Sequence, residues 1–385
     1  MKGKTFFLDQ GETLGGAERF LLDFFNILSP TEIRRLDPMI IGGKIKSYQE
    51  ALPERIPVHS FPFPSVKGGL FRKIGAIGNL VMSAKKLKSL AIKENASVFF
   101  SNTPRAHFVM FLARKLFFLK GKWIVMIHDF TVPAFLIKRI AKKADIMIAN
   151  GMPARAFLRK HMRVQDFHKI KIIENGVDFS CIPSPTPPKE IKRILMLGRI
   201  DPRKGQLFAA EAADLVMERN PDITFSFVGN SFDGDERTVY YEKKLKQFVR
   251  ERKLTNVVFV GEVENPFESI AQSDCLLALS TEPETFGRIV IEALALGKLV
   301  LAFDEIGPRE ILKGFETFID KSEDTRHGVS LLVEKQNAMS LAEKIGYFSD
   351  HPEEARIFTS IARSFVEKNF NLEETKKRLF HTILE

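Results

Sequence analysis

Glu284 and Glu292 stand eight residues apart, with Phe286-Gly287 between them. A carboxylate can accept from two vicinal hydroxyls at once, and N–H groups around Phe286-Gly287 suit a hydroxyl or an anion. Glu292 falls inside the apolar run from Ile289 to Leu296. Burying it without a partner is costly, and a polyhydroxyl ligand would supply one. An ordinary amphipathic helix with one capping and one solvated Glu fits the same stretch. A second cluster is Gly198-Arg199-Ile200-Asp201-Pro202-Arg203-Lys204-Gly205, where Arg199 and Lys204 are five apart. An Arg fork and a Lys point charge on a Gly-flanked loop suit a diphosphate, though solvated loop charges would look alike. Gly15-Gly16 would open a helix and let its backbone approach an anion, or simply make a tight turn. His128-Asp129 offers a hydrogen bond to a sugar hydroxyl, acid–base chemistry, or a structural pair. Asp233-Gly234-Asp235 is metal-like but lacks a clear third ligand. No H-E-x-x-H, Cys cluster or G-x-S-x-G occurs, so metalloprotease and Ser/His/Asp chemistry have no anchor.

The elements around these residues place them at the carboxyl ends of strands. Asp274 to Ser280 reads as a strand, Ile291 to Leu296 as a helix stopped by Gly297, and Leu299 to Phe303 as the next strand. Open α/β sheets bind ligands at such strand-to-helix turns. Earlier strands are expected at Lys4–Asp9, Pro38–Gly42, Val58–Phe63, Ser97–Ser101, Trp123–Ile127 and Ile146–Ala149, the last of the first half. A helix from about Gly16 to Leu28 has Phe20, Leu21, Phe24 and Phe25 on its apolar face. A longer one from Phe71 to about Asn95 has the stripe Ile74, Ile77, Leu80, Val81, Ala84, Leu87, Leu90 and Ala91. Four prolines within residues 183–188 read as a stiff linker. Strands then follow at Ile194–Leu197, Phe225–Val228, Val257–Val260, Cys275–Leu279 and Leu299–Phe303. Alternation of strand and helix in both halves predicts two doubly wound parallel sheets. The domains are expected at 1–182 and 183–370, with a final helix over about 371–385 returning to the first.

The 385 residues suit two domains. No run approaches the roughly 18–20 apolar residues of a membrane span, and no signal peptide is evident, so a cytoplasmic location is expected. Cys181 and Cys275 make neither a disulfide framework nor a zinc set, and Cys275 fits a core position. The net charge of +10 is uneven: residues 1–190 hold 31 Lys and Arg against 15 Asp and Glu, and the rest 27 against 33. Residues 51–150 hold 17 against 4. A basic half favours an anionic partner such as a lipid surface, although a merely solvated face gives the same count. With the helix from Phe71 and the apolar stretch Phe108–Leu119, it suggests docking on an anionic membrane.

Taken in order, the motifs resemble those of the family 4 glycosyltransferases, the retaining, glycogen-synthase-like group with the GT-B fold. The resemblance runs nearly end to end. It is carried by Gly15-Gly16-Ala17-Glu18, His128, Asn175-Gly176-Val177-Asp178, Gly198-Arg199, Lys204-Gly205, Phe227-Val228-Gly229 and Val258-Phe259-Val260-Gly261. The block from Glu284 through Glu292-Ala293-Leu294-Ala295-Leu296-Gly297 completes it. One departure is Ile306-Gly307, where the family usually has a Gly-Gly pair. The resemblance implies two Rossmann-like domains facing each other across a cleft, acceptor side first and donor side second. It implies transfer of a sugar from a UDP- or GDP-sugar to an acceptor hydroxyl with retention, without a metal or other cofactor. It gives Arg199 and Lys204 the diphosphate, Glu292 the ribose, and Glu284 with the Phe286-Gly287 backbone the donor sugar. Gly15 and Gly16 would meet the phosphate, His128 the sugar, and the backbone from Gly261 to Val263 the base. Arg105, His107 and Phe130 are guesses for acceptor contacts. A saccharide or lipid-linked saccharide acceptor, peripheral membrane association and a role in envelope glycan synthesis follow as expectations, and no nucleic acid. A GT-B epimerase or phosphorylase, or a non-catalytic basic lipid- or nucleic-acid-binding protein of this fold, are the alternatives.

Overall fold

A computed structural model of the chain describes residues 3–10, 15–42, 51–53, 56–64, 70–323 and 329–385. The side chain of Ile74, used above, lies outside them. The chain divides into two compact units. One comprises Met1–Asn175 and Leu372–Glu385, the other Gly176–Asn371.

The first unit is built on β1 (Lys4–Asp9), β2 (Pro38–Gly42), β3 (Val58–Ser60), β4 (Ala96–Ser101), β5 (Lys122–Ile127), β6 (Ile146–Ala149) and β7 (Ile170–Ile172). They pair in parallel in the order β3-β2-β1-β4-β5-β6-β7. Successive side chains of a strand point to opposite faces, and both faces here are covered. Phe7, Phe100 and Ile124 pack on one side with Phe20, Phe24 and Phe25 of the helix Gly16–Asn26 and with Leu379 and Ile383 of the final helix. Phe6, Leu8, Phe99 and Trp123 pack on the other with Leu80, Ala84 and Leu87 of the helix Leu70–Lys93 and Met110 of the helix Pro104–Leu116. The final helix, Leu372–Leu384, is also held by polar contacts. Lys122 Nζ donates to the Thr382 carbonyl at 2.6 Å, and Thr375 Oγ1 to the Glu174 carbonyl at 3.0 Å.

The second unit holds β8 (Arg193–Leu197), β9 (Thr224–Val228), β10 (Val257–Gly261), β11 (Cys275–Ala278), β12 (Leu299–Phe303) and β13 (Leu332–Val333). These are parallel, in the order β10-β9-β8-β11-β12-β13. The β11 and β12 runs are buried along their whole length, as a strand covered on both faces must be. Each sheet reverses its strand order once, between β1 and β4 and between β8 and β11. In such sheets the crevice at the carboxyl ends beside the reversal is where ligands bind.

Several expectations change. Ile146–Ala149 is not the last strand of its unit, because β7 follows. β7 is three residues and β13 two, too short to show a period. The units divide between Asn175 and Gly176, before the proline-rich stretch, and between Asn371 and Leu372. Ile77 is about half exposed rather than part of the core stripe. The stretch Phe108–Leu119 is largely core: Val109, Met110, Phe111 and Ala113 are buried within it.

Candidate active site

In the second unit the reversal brings two loops together. The β8 strand ends at Leu197, and Gly198, at φ +140°, turns the chain into Arg199. The Arg199 side chain is exposed at this strand end, and its carbonyl accepts from Gln206 Nε2 at 2.9 Å. Asp201 caps the short turn Pro202–Lys204, accepting from the Arg203 N–H at 3.0 Å. Burial alone would raise the Asp201 carboxyl, but Arg203 outweighs that and holds it below the usual carboxylate range. Gly205 closes the turn in the left-handed region at φ +75°. A Cβ there would lie 2.2 Å from the Leu279 carbonyl, so only glycine lets this loop reach the end of β11. A hydrogen bond from the Thr281 N–H to the Arg203 carbonyl, 2.8 Å, completes the seam.

That seam sets Lys204 against Glu284. The Lys204 ammonium is ion-paired with Glu284 Oε1, and the Ser280 hydroxyl donates to the same oxygen. Lys204 remains 45% exposed and Glu284 30%, so the pair faces water and can exchange partners. The Glu284 N–H donates to the Ile306 carbonyl at 3.1 Å. Gly307, at φ +102°, packs where a Cβ would meet the Phe286 carbonyl at 2.2 Å. The single glycine of Ile306-Gly307 is therefore the one the fold requires. The Phe286 ring is buried, against Phe370 at 5.6 Å between centroids, so only its backbone is available to a ligand. Gly287 caps the helix Arg288–Ala295, which starts three residues before the expected Ile291.

Glu292 has a partner within the chain. Arg288 Nε donates to its Oε1 at 2.7 Å, with Glu292 9% exposed. The cost of burying this carboxylate is thus met by a residue one turn earlier, not left to a ligand. The Arg-to-Glu spacing of four was the signal for it. Gly261 ends β10 in the left-handed region at φ +87°, and Val263 two residues on is partly buried.

In the first unit the reversal carries a hydrogen-bonded network centred on an amide. Gly15 caps the helix Gly16–Asn26, its N–H donating to Glu18 Oε2 at 3.1 Å. A Cβ on Gly16 would meet nothing within 4 Å, so packing does not demand glycine there. His128, after β5, is half-buried, with Nε2 2.7 Å from Asn102 Oδ1. Asp129 is not its partner: it accepts from the Thr131 N–H at 2.9 Å and from the Thr131 hydroxyl.

Of the acceptor guesses, His107 is corrected. It is 1% exposed, with Nδ1 2.9 Å from Ser101 Oγ, the hydroxyl that also accepts from Trp123 Nε1 at 2.9 Å. Burial, with the His128 charge adding to it, lowers its pKa to about 3 against a backbone hydrogen bond to Met126. A neutral core imidazole is out of reach of an acceptor. Arg105 donates to the Phe63 carbonyl at 3.4 Å, and Phe130 packs edge-on to Phe157. Asp235 caps the helix Glu236–Glu251 by accepting from the Arg237 N–H at 3.1 Å. Among the described residues no group of three or more His, Cys, Asp or Glu is placed to hold a metal ion. Nor, among them, is any helix long and apolar enough to cross a membrane. Sequence reasoning missed Asn102, Ser280, Arg288 and Gln206. Asn102 directly follows β4 at the reversal, which was its one available signal.

Both halves of the chain resemble known proteins. Residues 182–365 match the glycosyl transferases group 1 family model, and residues 14–180 the glycosyltransferase family 4 model. The phosphatidyl-myo-inositol mannosyltransferase of Mycobacterium tuberculosis is 31% identical over 151 residues, 37% of each chain. The match therefore spans little more than a third of that relative's length. Trehalose synthase of Pyrococcus horikoshii is 29% identical over 296 residues, covering 66% of this chain and 67% of that one. The crystal structure of Anabaena HepE in complex with UDP has the same fold, with a TM-score of 0.77 at 22% identity, covering 98% of this chain and 99% of that one. The chain belongs to the group 1, family 4 glycosyltransferases and has their two-domain GT-B fold.

Proposed function

We propose that the protein is a retaining glycosyltransferase that moves a sugar from a UDP- or GDP-sugar to an acceptor hydroxyl. The observation that carries this reading is the Lys204–Glu284–Ser280 cluster beside Arg199 at the β8/β11 reversal. A cation, an exposed carboxylate and a hydroxyl on one half-exposed seam suit a phosphate joined to a polyhydroxyl group. Departure of the nucleoside diphosphate builds charge on the leaving phosphate. Lys204 and Arg199 meet that charge from fixed positions, with little reorganisation. Glu284, released from Lys204 as phosphate replaces it, accepts from the donor sugar hydroxyls together with the Phe286-Gly287 backbone. Glu292 accepts from the ribose through its second oxygen while Arg288 keeps the first. Gly261 and Val263 border the base. The family resemblance assigns Gly15 and Gly16 to the phosphate and His128 to the sugar. No protein nucleophile takes the sugar: the departing phosphate accepts the acceptor's proton as the new bond forms on the same face. The second unit holds the donor and the first the acceptor.

No divalent metal is needed, since Arg199 and Lys204 carry the charge a metal would meet. The acceptor is a saccharide or lipid-linked saccharide of an envelope or surface glycan. The mannosyltransferase relative, named for a phosphoinositide acceptor, supports that class. Peripheral attachment to the inner face of the cytoplasmic membrane is supported by the outer face of the helix Leu70–Lys93. There Ile77, Met82 and Ile92 are exposed together with Lys85, Lys86 and Lys93. Each such cation near an anionic surface contributes about 1 kcal/mol. Co-sedimentation with phosphatidylglycerol vesicles at low salt checks this part; protein left in the supernatant contradicts it.

The transfer itself is tested by incubating the purified protein with UDP- and GDP-sugars and candidate acceptors. Release of nucleoside diphosphate with an NMR coupling that reports a retained anomer is expected. An inverted product contradicts the retaining assignment.

A further inference from the structure

Asn102 has no role in the reading above, yet it joins Asp9, Ala17 and His128. It follows β4 at the β1/β4 reversal and is 1% exposed. Its Nδ2 donates to Asp9 Oδ2 at 2.6 Å and to the Ala17 carbonyl at 2.9 Å. Its backbone N–H donates to the Leu8 carbonyl, also at 2.9 Å. Its Oδ1 lies 2.7 Å from His128 Nε2. Both partners of Nδ2 are acceptors, so the orientation of the amide is determined. Turned over, Oδ1 would face a carboxylate and a carbonyl. The amide oxygen has no proton to give, so His128 Nε2 must carry the hydrogen in either charge state of the ring. In the neutral ring the lone pair then lies on Nδ1.

We infer that Asn102 is a positioning residue that fixes His128 as the Nε2–H tautomer, a role that rests on reading His128 as the residue facing the donor sugar. The Asp9 carboxylate polarises the amide and strengthens its hold on the ring, as hydrogen bonds in series do. Phe20 meets the ring edge-on at 5.3 Å and limits its tilt. Because Nδ2 also holds the Ala17 carbonyl, the imidazole and the first turn of the helix Gly16–Asn26 are fixed relative to each other. The neutral His128 is thereby set to accept a hydrogen bond from a sugar hydroxyl through Nδ1, and not to donate one.

Long-range ¹H–¹⁵N spectra of the intact protein read the tautomer directly. The chain has eight histidines, and His128→Gln identifies the ring by difference. The wild-type ring, neutral, is expected to be protonated at Nε2. In Asn102→Ala it should become a mixture of tautomers, with kcat lowered on the order of tenfold to a hundredfold and the donor KM little changed. Protonation at Nδ1 in the wild type overturns the inference. So does an Asn102→Ala protein that keeps the wild-type tautomer and kcat. Should Asn102→Ala fail to fold, the wild-type spectrum decides alone. The reading beneath it fails separately: a His128→Ala protein with wild-type kcat removes the sugar-facing role, whatever the tautomer.

Discussion

The two strand-order reversals of this molecule are furnished in opposite ways. Beside β8 and β11 the groups are charged, partly exposed and carried on loops: Arg199, Lys204 and Glu284, the last two ion-paired. Beside β1 and β4 they centre on a neutral amide: Asn102, buried with Asp9, and the half-buried His128. A charge near water costs little to hold and exchanges partners readily, so the first arrangement suits a ligand that arrives with its own charge. A buried amide must keep every partner, so the second suits the fixing of one geometry. The same fold thus carries one arrangement suited to binding and another suited to orienting.

The largest expected effect tests the charged end. Lys204→Ala should lower kcat on the order of 10²–10³-fold, with a smaller change in donor KM, because its charge matters most as the diphosphate leaves. Steady-state kinetics check it; a variant with wild-type kcat would remove Lys204 from the reaction. Next is Glu292→Ala, which should weaken donor binding by about 1.5–3 kcal/mol through loss of a charged acceptor. It should also lower the melting temperature, since Arg288 loses its ion-pair partner. Calorimetric titration beside thermal melts sharpens the comparison: lost stability with normal donor binding would make Glu292 a structural residue like those of the neutral end.

The neutral end makes its own prediction, on pH. His107 has its folded pKa pushed down to about 3 from 6.5, first by burial. The unfolded chain therefore binds this proton first as pH falls. The stabilisation is fully present above 6.5 and is lost progressively from there down towards 3, at up to about 1.4 kcal/mol per pH unit. Denaturant melts between pH 7.5 and 5 check this, with His107→Gln flattening the slope; an equal slope in both proteins would contradict it. The smallest effect concerns Asp233. Its replacement by Ala, and addition of EDTA, should leave transfer kinetics unchanged, and restoration of lost activity by Mg²⁺ or Mn²⁺ would bring a metal into the charged end.

The difference between the two ends also explains what the sequence could reveal. The charged end was legible because its parts are local: Arg199 and Lys204 share one loop, and Glu284 to Glu292 one strand-to-helix turn. Buried apolar runs such as Leu299–Phe303 marked the strands that carry them. What was hidden there was pairing, such as Ser280 with Glu284 and Arg288 with Glu292, because each has an ordinary bland reading. The neutral end joins residues 9, 102 and 128, and no local period or spacing links them. Asn102 looked like any polar residue after a strand, and His107 like a residue that could face an acceptor. Only the parallel register of β1, β4 and β5 gathers the first three and buries the fourth.

Calorimetric titration of a panel of UDP- and GDP-sugars into the wild type and the Lys204→Ala variant tests the central claim, that the β8/β11 seam is a nucleotide-sugar site. The account predicts saturable binding of at least one of them to the wild type, weakened in the variant and competed by the matching nucleoside diphosphate. No binding by any member of the panel, or equal binding to both proteins, would contradict it.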